Sequence, residues 1–156
     1  MSASSSDNIR LVRSLLRALD DGDFETVRAL LAPDFRTVPA TTGKVIGREE
    51  WLVLHEDLHG SFPDLKRNPR GFRAKGDQVS VTVQITARDI APIRLARLGI
   101  EELPATGIEL KVPSHTDTFT VHDGKVVAIH SAIPPGGGLP GMLDQIRRAA
   151  GRRDDG

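Results

Sequence analysis

The 156 residues predict an α+β fold, with helices leading and an antiparallel sheet following that the helices cover. Three observations carry this prediction. Up to about residue 62, apolar residues recur at three- and four-residue spacing, as on the buried face of a helix. From about residue 66 the rhythm shortens to two: Val79, Val81, Val83 and Ile85 alternate with Gln78, Ser80, Thr82 and Gln84. Finally, "AKGDQ" and "HDGK" read as tight turns between such strands.

The elements follow in order. Asp7 can cap a first helix whose buried positions are Ile9, Val12, Leu15, Leu16 and Leu19; "DDGD" stops it. Asp23 can cap a short second helix carrying Phe24, Val27, Leu30 and Leu31, which Pro33 ends. "FRTVPATTGKVIG" is a short strand and a turn-rich loop. "REEWLVLHEDLHGSF" is a third helix with Trp51, Leu54, His55 and Leu58 on one side. Residues 108 to 121 and 125 to 133 add two further strands. Between strands, "RDIAPIRLARLGIEELPATG" either covers a cavity mouth or forms a helix that caps the core. A single domain over residues 7–150 is expected, with flexible tails at 1–6 and 151–156, where small and charged residues offer nothing to bury.

Composition narrows the function. Lys plus Arg and Asp plus Glu are 21 each, so charge gives no reason to expect nucleic acid or an anionic membrane as partner. No stretch approaches the roughly 20 apolar residues of a membrane span. "MSASSSDN" lacks the basic start and apolar core of a signal peptide, so a cytoplasmic protein is expected. With no cysteine and no tyrosine, chemistry must come from His, Asp, Glu, Arg, Lys, Ser and Thr. His55 and His59 have a helical metal-ligand spacing, but no third ligand is evident and His55 shares the Trp51 face; no metal is expected.

The stretch "SHTDTFTVHDGKVVAIHSAI" concentrates the candidate chemistry. With Asp123 and Gly124 as a two-residue hairpin loop, His122 pairs with Lys125, and a regular ladder sets Asp117 opposite His130 and His115 opposite Ala132. Opposed residues share a face. The face holding Phe119, Val121, Val126 and Ala128 is the one expected to meet the helices, and it would carry His115, Asp117 and His130 inward. A carboxylate beside a histidine orients the ring and raises its basicity, as a general base requires. The opposite assignment, with these polar residues solvated, stays open because Val127 and Ile129 make the other face partly apolar.

"DDGDFETVRALLAPDF", "GREEW", "SFPDL", "KGDQVSV", "LPATG", "HTDTFTVHDGKVV" and "GMLDQI" resemble, in this order, segments of the SnoaL-like polyketide cyclases of the nuclear-transport-factor-2-like superfamily. The resemblance runs from about residue 8 to residue 148. It implies a cone of helices over a curved sheet enclosing an apolar pocket, usually in a homodimer. It also implies a cofactor-independent acid/base enzyme closing or isomerising a hydrophobic, oxygenated, polyketide-like substrate. The aldol cyclases of the family use a carboxylate on the last strand, and here Lys125 to Ile133 hold none. His130 is therefore expected as the base, Asp117 as its orienting partner and His115 as oxyanion donor, with Phe35, Trp51, His55, Phe72 and Phe119 lining the pocket. The rivals are a non-catalytic binder on the same fold, or an epoxide or ester hydrolase using a histidine-activated water.

Overall fold

The computed structural model describes residues 4–39 and 43–154, so the loop expected around 40–42 lies outside the described residues. Helix α1 (Ser5–Asp21) starts two residues before the cap expected at Asp7: Ser4 accepts the Asp7 amide through its hydroxyl, and Gly22, in the left-handed region, closes the other end. Asp23 caps α2 (Phe24–Leu30) as its sequence suggests, bonding the Thr26 amide and hydroxyl. The chain turns extended at Leu31, which opens strand β1 (Leu31–Thr37) instead of closing the helix. A two-residue strand, β2 (Ile46–Gly47), leads into α3 (Arg48–Ser61), whose first turn carries Glu49 and Glu50 where the helix dipole favours them.

Six strands then follow: β3 (Arg70–Lys75), β4 (Gln78–Val83), β5 (Thr86–Arg88), β6 (Glu109–Lys111), β7 (His115–His122) and β8 (Lys125–Ala132). The main sheet has the order β2-β1-β8-β7-β4-β3, while β5 and β6 pair separately. The sheet is mixed, not purely antiparallel as expected, because β1 runs parallel to β8. Alternation alone cannot reveal this: it reports which face a residue takes, not the direction of its neighbour. Helix α4 (Gly138–Asp154) is a second difference. It takes in residues 151–154 that the sequence assigns to a tail, and it begins at the last of the three glycines at 136–138.

Helices α1 and α3 pack on one face of the sheet and build the main core from Val12, Leu15, Trp51, Val79, Val81, Phe119 and Val126, all buried. A second cluster joins Phe62, Leu65, Ile93, Leu95 and Leu110 with Met142 and Ile146 of α4. Ile85 touches both. The apolar segment between β5 and β6 forms no capping α-helix. It is a folded-back loop with a bridge between Ile93 and Leu103 and one short 3-10 turn at Ala96–Leu98. It is fastened to α3 by the Arg94 amide on the Ser61 hydroxyl and by the Arg97–Asp57 ion pair.

The β7–β8 hairpin decides which side chains enter the cone. Asp123 and Gly124 both have positive φ, as the primed two-residue turn requires. His122 pairs with Lys125 and Val121 with Val126, as expected. One residue further the register shifts: Thr120 faces Ala128, leaving Val127 as an extra residue on β8. Beyond that bulge every β8 side chain changes face. Asp117 stands opposite Ser131, and His130 stands opposite Thr118 on the outer face, where it is exposed. The expected Asp117–His130 pairing is therefore not made.

Candidate active site

Strand β7 alternates buried and less buried residues along its length, with His115, Asp117, Phe119 and Val121 turned inward. Its neighbours supply inward partners in register: Val83, Val81 and Val79 from β4, and Ser131 and Ile129 from β8. Among the described residues Asp117 is the one carboxylate on this face, and it is buried to 9% exposure. Its Oδ1 accepts the Ser131 hydroxyl at 2.5 Å and lies 3.2 Å from His115 Nε2. Among the described residues no group bonds Oδ2. Both donors thus converge on one oxygen and leave the other open. Ser131 reaches solvent, so the trio lies where the sheet's inner face meets the outside.

His115 is buried, and its Nδ1 has no partner. With Nε2 against a carboxylate the ring proton belongs on Nε2, which leaves Nδ1 as a bare acceptor. A carboxylate fixed by two donors and open on one side is a group that can take up and return a proton. This differs from the expected arrangement in one member: Ser131, not His130, is the β8 partner of Asp117. The last strand does lack an acid, as its sequence shows, but its serine holds the carboxylate of the strand beside it.

The remaining expected residues divide. Phe35 and Trp51 meet edge to face with centroids 5.4 Å apart, and Trp51 stacks on His55 at 3.8 Å. Phe119, on the inner face of β7, is fully buried in the same core as Phe35 and Trp51. Phe72 lies apart on β3, under the Arg13 guanidinium of α1 at 4.4 Å, where it packs the helix on the sheet. His55 donates from Nδ1 to the Trp51 carbonyl at 3.0 Å. Its ring keeps some surface, yet the protein packed around it pushes its pKa down to about 3; the Arg67 charge adds to this, and the Trp51 carbonyl and the Asp117 charge oppose it. His55 is thus close enough to Asp117 to feel it, and it is neutral at ordinary pH.

Sequence reasoning missed the Arg67–Asp20 ion pair, 2.6 Å long and largely buried, beside His55. These two residues come from α1 and from the segment after α3, so no local pattern links them. With Leu19, His55, Leu58, His59, Phe62 and Leu65, Arg67 lines a small, partly open cleft with enclosed room for about one water. Among the described residues no group of three His, Asp or Glu could hold a metal, and no helix is long and apolar enough to cross a membrane.

A family model of the SnoaL-like domain matches residues 12–129, most of the chain. The protein belongs to the SnoaL-like domain family. Solved structures agree on the fold. IdmH of Streptomyces antibioticus, named as a polyketide cyclase, is 24% identical with a TM-score of 0.70, covering 88% of this chain and 96% of its own. A protein of Xanthomonas campestris, also named as a polyketide cyclase, is 16% identical with a TM-score of 0.72, covering 94% and 99%. An M. tuberculosis epoxide hydrolase of the LEH-like type is 18% identical with a TM-score of 0.66, covering 94% and 93%. No curated protein matches the sequence.

Proposed function

We propose that this domain catalyses proton transfer on a hydrophobic, oxygenated small molecule, with Asp117 as acid and base and no cofactor, leading to ring closure or isomerisation. Asp117 Oδ2 takes a proton from the carbon beside a carbonyl, leaving an enolate, and the same oxygen, now protonated, returns the proton elsewhere on that enolate. His115 and Ser131 hold Oδ1, so the proton has a single oxygen to visit. The observation that carries this is the convergence of both donors on Oδ1 of a carboxylate buried on the apolar inner face. The names of the two cyclases of similar fold support the substrate class, and the curved apolar interior suits it.

The test needs only a simple ketone. In D₂O the methyl protons of 4-hydroxyacetophenone exchange slowly, and the protein should accelerate that exchange, followed by proton NMR. Asp117→Asn keeps the shape and removes the base, so the acceleration should fall by about 10²- to 10⁴-fold. An Asp117→Asn variant as active as wild type would overturn the assignment. A wild-type protein without any acceleration would favour the rival, a binder on the same fold.

A further inference from the structure

Strand β3 ends the main sheet, so one side of its backbone has no strand partner among the described residues. Its side chains sort by face. Arg70, Arg73 and Lys75 stand opposite Thr82, Ser80 and Gln78 on the outer face, and all three are exposed. The bulge between Arg70 and Arg73 leaves this sorting intact. Phe72 and Ala74 turn to the inner side and stay half-buried. Helix α1 packs against this strand and adds two exposed cations. One is Arg13, whose guanidinium lies 4.4 Å over the Phe72 ring; the other is Arg17, one turn further on. None of these five cations forms an ion pair among the described residues. Of the acids on α1 and in the β3–β4 turn, Asp7 is taken by Arg10, Asp20 by Arg67 and Asp77 by His122, which leaves Asp21 at the helix end. In a chain with as many acids as bases, five uncompensated cations on one strand and its neighbouring helix make a local positive field.

We propose that the free edge of β3 docks an extended segment of a partner protein, one that alternates acidic and apolar residues and joins the sheet as a further strand. Backbone groups supply the pairing, and side chains supply the choice. Residues of the added strand opposed to Arg73 and Lys75 share the outer face, where carboxylates meet cations. Those opposed to Phe72 and Ala74 share the inner side, where apolar groups extend the packing. Arg13 and Arg17 steer the same acids during approach. Cations on a free edge repel a second edge of the same kind, so the charge that selects an acidic strand excludes another copy of β3. A nucleic acid would answer the charge but leave the edge N–H and C=O groups without strand partners. The hydrogen-bonding direction lies in the plane of the sheet, so a second copy stacked on the outer face leaves this edge open.

The probe is an end-capped peptide of alternating glutamate and valine, EVEVEVEV, titrated into the full chain and followed by isothermal titration calorimetry. It should bind at low salt and weaken as salt rises, because the screening length falls from roughly 30 Å at about 0.01 M to about 8 Å at about 0.15 M. The same peptide N-methylated throughout keeps its side chains and charge but has no N–H to give. It should bind about tenfold more weakly or worse, the cost of several lost hydrogen bonds. Arg73→Gln on the strand and Arg13→Gln on the helix should each weaken binding about two- to fivefold, as the loss of one exposed ion pair does, with the fold checked by circular dichroism. Equal binding of the N-methylated peptide would reduce the site to bare charge and overturn the proposal. So would tighter binding of single-stranded oligothymidylate at the same salt, wild-type affinity in both arginine variants, or no binding of EVEVEVEV by the wild type.

Discussion

His130 and Ser131 are adjacent in the chain, and one extra residue decides which of them meets Asp117. The Asp-Gly turn was legible, and so were the first two pairs of the ladder. Val127 carries none of the marks of a bulge, being neither glycine nor polar, so an uninterrupted ladder put His130 inside. A signal was present in the spacing: Val126 and Ile129 both turn inward, and a gap of three cannot occur on one face of a regular strand. The position of His130 is open to test. His130→Ala on the outer face should change unfolding free energy by less than about 0.5 kcal/mol and leave ketone exchange intact; a loss of exchange would place the imidazole inside after all. His55 makes an acid-side prediction. Its folded pKa is depressed to about 3 from an ordinary 6.5, so between those values the unfolded chain binds the proton and the folded one does not. The stabilisation is complete above about pH 6.5 and drains as pH falls toward 3, by a few kcal/mol at about 1.4 kcal/mol per unit. Urea midpoints measured from pH 7 to pH 4 should fall less steeply in His55→Phe than in the wild type. Parallel curves would show that His55 is not held neutral.

At the level of elements, three helices, both hairpin turns and the alternating strands could be read because each is a local pattern of period and cap. Helix α4 could not, since its start lies in "PPGGGLPG", where glycine and proline outvote the helical spacing of Met142, Leu143 and Ile146. Tertiary burial of those three residues against Phe62, Leu110 and Val112 supplies what propensity withholds. The glycines of α4 therefore answer substitution in opposite ways. A Cβ on Gly141 would fall on the Gly136 backbone carbonyl and lie 3.3 Å from Val112 Cγ1. Gly141→Ala should thus lower the melting temperature by several degrees and loosen the helix's first turn. Near the far end, Gly151 meets nothing within 4 Å, and alanine there should stabilise by up to about 0.5–1 kcal/mol through helix propensity alone. Thermal unfolding of the two variants side by side checks both signs. The parallel β1–β8 pairing was equally invisible, because its two partners share no turn and no spacing.

For the whole molecule, the helices cover one face of the sheet and leave the other uncovered. Gln78, Ser80, Thr82, Thr116 and Thr118 form a threonine-rich outer surface beside Ala128 and Ala132, with little formal charge at its centre. Such a surface suits a second copy of the chain, and a homodimer is the expected state in solution. Static light scattering at micromolar concentration should return about twice the 16.9 kDa of one chain; the single-chain mass would exclude it. The same sheet sets a timetable for synthesis. Strand β1 gains its inner neighbour only when β8 exists, and the Thr37 hydroxyl waits for the Ile129 carbonyl, 92 residues downstream. Ribosomes add about 5–20 residues per second, so roughly 5–20 seconds separate the two strands as they emerge. Through that interval the nascent chain offers an unpaired edge and the unburied ring of Phe35 to whatever is nearby. The sheet seals only when the last strand slots between the first and β7, closing a loop of this length at an entropic cost that slows the step. Truncated or stalled chains that end before β8 are then the natural clients of a holding chaperone, however well their helices have formed.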